Sequence, residues 1–434
     1  MRKIFIIGAG ISGLSTAWWL KKKFPHTECL ILEKSPRPGG LLYTEYSNDF
    51  ALDLGPKGFL TRGDGEYTLQ LIKELGLYPS LVTSNKAAKT RFIHYKGKTR
   101  KISLWTLLKE GLPLALVKDL FAFRYDKDSS VQEFLQRHST KSLIHHILNP
   151  IVLATRAGHS HLLSAHMAFP SLSKYEAQTG SLLRSYLKES SIKTKNSPYL
   201  ASLKPSFGIL IDTLVKKLPV TWKFSSPVIK IDCLPSQVII HTEKETLAGD
   251  LAIYTGPLTS LSHLIHIPGM SQLAKKILPW DLSCATLGWK TQHPHLPQGY
   301  GMLFSDAPPL LGIVFHSQIF PKQLSGKTVI SLLLENRWYK EDAYAFSLAA
   351  ISEYLNITCK PDVFSLFSPE DGLPQHCVGF LEMKNCVLPH IPQNLKIVGQ
   401  NFSGPGVNRC VASAYHTIAT LYREKTFTKS HCLH

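Results

Sequence analysis

Three glycines and one acid carry the most specific chemistry in the chain. Gly8, Gly10 and Gly13 stand in Gly8-Ala9-Gly10-Ile11-Ser12-Gly13, and Glu33 follows at about the 20-residue spacing that separates a phosphate-binding turn from a ribose-binding acid. Each glycine has a separate task. Gly8 makes a tight turn, Gly10 lets the backbone approach a pyrophosphate, and Gly13 lets a helix pack on a strand. Ser12 lies inside the same turn, and the free N–H groups of the helix start face the phosphates. Glu33 suits the two hydroxyls of an adenosine ribose and repels a 2′-phosphate.

The next residues choose between dinucleotides. Lys34 and then Arg37-Pro38-Gly39-Gly40-Leu41 follow Glu33; an arginine beside a flexible glycine pair can reach back to the pyrophosphate while the chain runs close under a second ring. The pattern Glu-x-x-x-Arg-x-Gly-Gly resembles the FAD fingerprint shared by amine oxidases, carotenoid desaturases, protoporphyrinogen oxidases and the GDP-dissociation inhibitors. FAD is therefore preferred to NAD. The resemblance also implies cofactor contacts at Gly55 and Pro56, at Val228 (whose backbone reaches the adenine), and at Gly399, Gly406, Val407 and Asn408 beside the flavin ring and ribityl chain. Asn408 sits at a predicted helix start, so capping is an equal reading of it.

The elements that must hold these groups are legible from periodicity. Lys3–Ile7 is a β-branched and aromatic run followed by the glycine turn and a helical pattern with Leu14, Ala17 and Leu20, which reads as strand, turn, helix. Cys29–Leu32 is a second strand, Leu395–Val398 a third, and Arg409–Leu421 a helix. The expected fold class is α/β, with a discontinuous Rossmann-like FAD-binding domain from 1–90, 200–255 and 385–425. A mixed-sheet substrate domain takes 91–101 and 256–384, with strands at Ala285–Trp289, Leu311–Phe315 and Thr328–Leu334. A helical insertion takes 102–199, with helices around Leu104–Phe123 and Val131–Ile147. Its apolar stretch Gly111–Val117 beside basic residues reads better as a buried helical core than as a membrane-facing patch. The tail from Glu424 to His434 is polar and expected to fray.

Composition narrows the partners. Lys and Arg outnumber Asp and Glu by 49 to 31, a formal charge of +18, which favours an anionic partner. Lys86, Lys89, Arg91, Lys96, Lys98, Arg100 and Lys101 crowd one stretch without an acid. The 8 cysteines, among them Cys410 and Cys432, are scattered, so neither a zinc site nor a dithiol motif is indicated, and reduced thiols in a cytoplasmic protein are the default. The basic, apolar start could pass for a signal peptide, but the spaced glycines oppose that. No run is long and apolar enough to cross a membrane, so any membrane contact is peripheral, on the inner face. His145-His146, His159-Ser160-His161 and His293-Pro294-His295 lack carboxylate or cysteine partners at helical ligand spacing, and read as surface or loop histidines rather than a metal site. No nucleophilic triad or paired-carboxylate constellation stands out, and no catalytic side chain is named.

Four further segments carry one resemblance over nearly the whole chain. They are Asp53-Leu54-Gly55-Pro56-Lys57-Gly58-Phe59; Ala157-Gly158 with Leu163-Ser164-Ala165, Ala168–Leu172, Glu176 and Gly180–Leu183; Gly312–Ser317 with Phe320-Pro321; and Leu373–His376 with Gly379 and the Gly404–Asn408 turn. Together they are similar to the FAD-dependent protoporphyrinogen/coproporphyrinogen oxidase family. The resemblance implies oxidation of a porphyrinogen in haem synthesis, with O2 reoxidising the flavin to give hydrogen peroxide. It implies that Arg91, in Arg91-Phe92, pairs with a substrate propionate. Porphyrinogen and O2 are the implied reaction partners, with ferrochelatase as a protein partner and no nucleic acid; oligomeric state is left open. Two alternatives stay open: another flavoenzyme of the same fold, such as an amine oxidase or a desaturase, or a non-catalytic carrier that lost the flavin.

Overall fold

The computed structural model describes residues 2–430 apart from 48, 157, 190–198 and 295. Ala157, His295 and Cys432, singled out above, lie outside the described residues.

Lys3–Ile7 forms the centre of a five-stranded parallel sheet. In spatial order its strands are Thr221–Lys223, Glu28–Leu32, Lys3–Ile7, Leu251–Tyr254 and Leu395–Ile397. The near-continuous apolar run of the central strand follows from burial on both faces. Because side chains alternate along a strand, Ile4 and Ile6 face a helical layer with Leu14, Ala17, Leu210, Leu214 and Val411. Phe5 and Ile7 face Ile231, Val238 and Ile240 of a small antiparallel sheet, Val228–Cys233, Val238–Thr242 and Thr246–Gly249. The helix Ile11–Lys23 packs with the last helix, Val407–Ser430, where Trp19 and Tyr415 meet edge to face with centroids 5.2 Å apart.

A seven-stranded mixed sheet forms the roof. Its order is Val363–Phe367, Leu282–Trp289, Thr328–Glu335, Leu310–Val314, Gly301–Phe304, Phe92–Tyr95, Lys98–Lys101. The pair Gly301–Phe304 and Phe92–Tyr95 runs parallel, and the other pairs run antiparallel. The three expected strands are present, and the hairpin at 92–101 joins them from a distant part of the chain. Ala285, Leu287, Ile330 and Leu332 face Ala343, Ala350 and Ile351 of the helix Lys340–Leu355. On the other side of the same strand, Cys284 Sγ lies 3.7 Å from Lys57 Nζ, and Thr286 Oγ1 pairs with Ser331 Oγ at 2.8 Å.

Helices fill the stretch after residue 103, beginning with Leu104–Lys109, Leu112–Leu120 and Val131–His138. Two expectations are corrected. The apolar stretch is not a buried core: Ala115 and Asp119 face inwards, while Leu114 is 65% and Val117 50% exposed, as are Trp105 (69%), Phe121 (78%) and Phe123 (90%). A helix apolar on two faces cannot reveal which one packs. The last helix begins at Val407 and continues to Ser430, past the point where fraying was expected.

Candidate functional site

The glycine turn, the Gly39-Gly40 turn and the C-terminal turn converge at the carboxyl ends of the parallel strands. The helix Ile11–Lys23 starts from Gly10 with no capping side chain and no acid in its first turn. Its first N–H groups are thus left for an anion, to which the helix dipole adds a favourable field. A Cβ on Gly13 would overlap the Gly8 carbonyl oxygen, whereas a Cβ on Gly10 would meet nothing within 4 Å. Gly13 therefore serves packing and Gly10 leaves open space.

The second loop is clamped onto the first. The Gly39 N–H donates to the Ala9 carbonyl at 2.8 Å, and a Cβ on Gly40 would come within 3.3 Å of the Gly10 Cα. The Leu41 carbonyl occupies the place a Cβ on Gly55 would take, which seats Gly55-Pro56 beside this loop. Arg37 stays within it, its Nη atoms 3.4 Å from the Gly40 carbonyl and its guanidinium 3.9 Å from the Tyr43 ring centroid. Lys34 turns the other way and pairs with Asp371 at 2.9 Å and Glu370 at 3.5 Å. Burial acts against the charge on Lys34, and those two acids outweigh it, raising its pKa.

Glu33 is buried, and its carboxylate accepts from the Ala9 N–H at 2.6 Å and the Ser35 N–H at 2.9 Å. Each oxygen retains a further lone pair for ribose hydroxyls. The segment leading to Val228 runs alongside: Ser226 N–H donates to the Glu33 carbonyl at 2.9 Å and Ser225 N–H to that of Ser35 at 3.1 Å.

The C-terminal turn closes against the same glycines, since a Cβ on Gly399 would strike Ser12 Oγ. Gly406 precedes the long helix at φ +117° with nothing within 4 Å of where a Cβ would sit; a side chain there would be strained and would fill open space. Val407 is buried. Asn408 does not cap its helix. It lies inside the first turn, where its Oδ1 accepts from Thr68 Oγ1 and its Nδ2 donates to the Leu60 carbonyl, both at 2.8 Å. Cys410 is buried, as a packed helix residue would be.

Two features of the floor escaped sequence reading. Asp53 is almost fully buried, and burial pushes its pKa up; it accepts from Thr44 Oγ1, from the Phe207 N–H at 3.0 Å and from Gln323 Nε2 at 3.3 Å. It thereby ties the first cofactor loop, the middle segment and the roof. Lys57 donates to the Asp53 carbonyl and lies 3.7 Å from Cys284 Sγ on the roof. Nearby His316 is fully buried, and burial together with the Lys57 charge pushes it down to about 3. The partners of these groups come from remote segments, so no local motif announces them.

Arg91 is exposed at the start of the Phe92–Tyr95 strand, its guanidinium 5.1 Å from the ring centroid of Tyr300. Two of the histidines have acid partners: His146 Nδ1, on the helical turn Ile144–Leu148, lies 2.9 Å from Glu110, and His159 Nε2, in a loop, 3.1 Å from Glu335. Both acids are far away in sequence. Among the described residues, no three His, Cys, Asp or Glu side chains gather as a metal-binding set.

A sequence profile described as flavin-containing amine oxidoreductase matches residues 11–345. The chain belongs to this family. Its cofactor is FAD, the flavin that a dinucleotide fold of this kind holds. Family relatives align along nearly their whole length. A protoporphyrinogen oxidase of Schizosaccharomyces pombe is 24% identical, covering 96% of this chain and 98% of its own. A coproporphyrinogen III oxidase of Bacillus subtilis is 21% identical, covering 94% and 96%. A provisionally named protoporphyrinogen oxidase from Exiguobacterium superposes with a TM-score of 0.84 at 20% identity, covering 98% of this chain and 99% of that one. Putrescine oxidase superposes at 0.72 with 14% identity, so the fold is common to both kinds of flavoenzyme.

Proposed function

We propose that the protein oxidises a porphyrinogen to the porphyrin in haem synthesis, using FAD and O2. The observation that carries this reading is the end-to-end match to relatives named for porphyrinogen oxidation, on a fold whose open glycine cradle fits FAD. When bound, FAD would supply the two-electron acceptor for each of the three steps that turn a porphyrinogen into a porphyrin. The residues proposed to hold it are Gly8, Gly10, Ser12, Gly13, Glu33, Lys34, Arg37, Gly39, Gly40, Leu41, Gly55, Pro56, Val228, Gly399, Gly406, Val407 and Asn408. Of these, Lys34 and Asn408 already have protein partners, so their contribution runs through positioning of the loop and the helix start.

The chain's own work is to bind, orient and exclude water. The cofactor unit is proposed to comprise 1–90, 200–255 and 385–425, roofed by 91–101 and 256–384. Arg91 is proposed to hold a propionate at the roof edge, where it has no carboxylate partner among the described residues. Leu104, Trp105, Leu114, Phe121 and Phe123, with Lys101, Lys109 and Arg124 exposed beside them, are proposed to rest on the anionic inner face of a membrane, where apolar burial and basic residues act together. Ferrochelatase, as a receiver of the product, is proposed as a partner on the same grounds of chemistry.

The test is to supply coproporphyrinogen III and protoporphyrinogen IX separately to purified protein under air and follow porphyrin fluorescence. Growth from at least one supports the reading. A yellow protein inert to both points to another amine-oxidase-like activity, and a colourless inert protein to a carrier.

A further inference from the structure

Four basic side chains gather where three parts of the chain meet. The segment 158–169, the strand Leu373–His376 and the segment 399–409 are joined there: the Ser164 N–H donates to the His376 carbonyl, the His159 N–H to Gln375 Oε1, and Leu163 bridges Cys377. Arg156 ends the helix Asn149–Arg156 with its guanidinium 4.6 Å from the Phe169 ring centroid, and its buried Nε has no hydrogen-bond partner. Arg409, in the first turn of the last helix, donates to the Met167 carbonyl at 3.2 Å and fills the space that a side chain on Gly404 would need. Lys384 donates to the Phe402 carbonyl at 2.8 Å, and His376 Nε2 lies 2.9 Å from that of Asn401.

Carbonyls and rings are the only partners of these cations among the described residues; no salt bridge includes Arg156, Lys384 or Arg409. Burial, reinforced by the Arg409 charge, holds Arg156 below its ordinary value, and burial does the same to Lys384. An arginine nevertheless remains protonated, so the repulsion persists. Half-buried like charges without a counter-ion are costly, and a planar carboxylate matches a guanidinium fork in both shape and charge.

We propose that Arg156 and Arg409, backed by Lys384, form a second carboxylate anchor, separate from Arg91, that receives a substrate propionate. Phe169, part-exposed beside Arg156, supplies apolar surface for the macrocycle that carries it. Coproporphyrinogen III, with four propionates to the two of protoporphyrinogen IX, offers more pairs that can reach both anchors at once. This inference rests on the porphyrinogen reading.

The experiment is equilibrium binding of the stable porphyrins, coproporphyrin III and protoporphyrin IX, to flavin-loaded wild type, Arg156→Leu and Arg409→Leu, read by fluorescence quenching. Wild type is expected to prefer coproporphyrin III. Each substitution is expected to weaken that binding about tenfold or more, the size of one lost charge-assisted bond, and to affect protoporphyrin IX less. Flavin content is expected to stay the same, and the thermal midpoint of Arg156→Leu not to fall, because an unpaired buried cation is removed. Arg409→Lys, which keeps the charge and loses the fork, should give an intermediate loss. Flavin-loaded variants with unchanged coproporphyrin affinity overturn the anchor alone, as does a loss of flavin without a loss of porphyrin affinity, which would give the cluster to the cofactor. A wild type that binds and oxidises neither tetrapyrrole overturns the porphyrinogen reading, and the anchor with it.

Discussion

At the carboxyl ends of the parallel strands, the groups left for a ligand are backbone N–H donors at glycine turns. Around Asp119 in the helical insert, by contrast, buried polar groups are satisfied internally by side-chain charge. Asp119 accepts from Ser181 Oγ, from the Leu182 and Leu183 N–H groups and from His138, which in turn meets Glu176, itself held by Arg137. Burial would raise both carboxyl groups, and these hydrogen bonds outweigh it and hold them below their ordinary values. The cradle is unfinished without a ligand, whereas the part of the insert built around Asp119 is complete without one. Its outer face can therefore be apolar and exposed without loss of internal order.

The comparison breaks most sharply at the glycines and at Asp119. Gly13→Ala should cost about 1–3 kcal/mol or more through overpacking and lower both thermal midpoint and flavin content. Gly10→Ala, pointing into open space, should lose flavin with the midpoint of the flavin-free protein unchanged; equal stability losses in the two would show that the turns are not divided in this way. Asp119→Ala strands several buried donors, at about 3–5 kcal/mol, and should raise hydrogen exchange in 104–189 while flavin remains bound. Retained protection there would contradict the charge network.

A smaller effect follows from pH. His376 is pushed down to about 4 by burial, with Arg409 and Lys384 adding to it. The unfolded state therefore takes up the proton first, so stability is full above about pH 6.5 and falls towards about pH 4. Asp119 and Glu176, being depressed, extend the loss below about pH 4. In His376→Gln the decline between about pH 6.5 and pH 4 should become shallower, with His316, pushed down to about 3, keeping the rest of it, as measured by denaturant midpoints; an unaltered slope would exclude a contribution from His376. Arg91→Ala should raise KM with little change in kcat, a loss of about 1.5–3 kcal/mol. Smallest of all, Phe123→Ser should leave stability within about 0.5 kcal/mol and reduce co-sedimentation with anionic vesicles.

The same contrast explains what could be read from the sequence. The α/β class and a dinucleotide site were legible because Gly8, Gly10, Gly13 and Glu33 act through local backbone geometry at fixed spacing, and the family resemblance of Arg37-Pro38-Gly39-Gly40 chose the flavin. The pairing of Lys34 with Asp371, the hub at Asp53, and the meeting of Arg156 with Arg409 depend on contacts between segments hundreds of residues apart, for which spacing carries no signal. The exposed face of Leu112–Leu120 was misread because apolar residues lie on two faces, and only the tertiary fold decides which is covered.

A porphyrinogen is expected to deliver its electrons to the FAD held in this cradle. The direct measurement is to mix the flavin-loaded protein with coproporphyrinogen III, and separately with protoporphyrinogen IX, in the absence of air and record the visible flavin band. Bleaching by at least one, with the colour restored when air is admitted, is the predicted result. A flavin band unmoved by either, in protein whose flavin dithionite does bleach, would contradict the account.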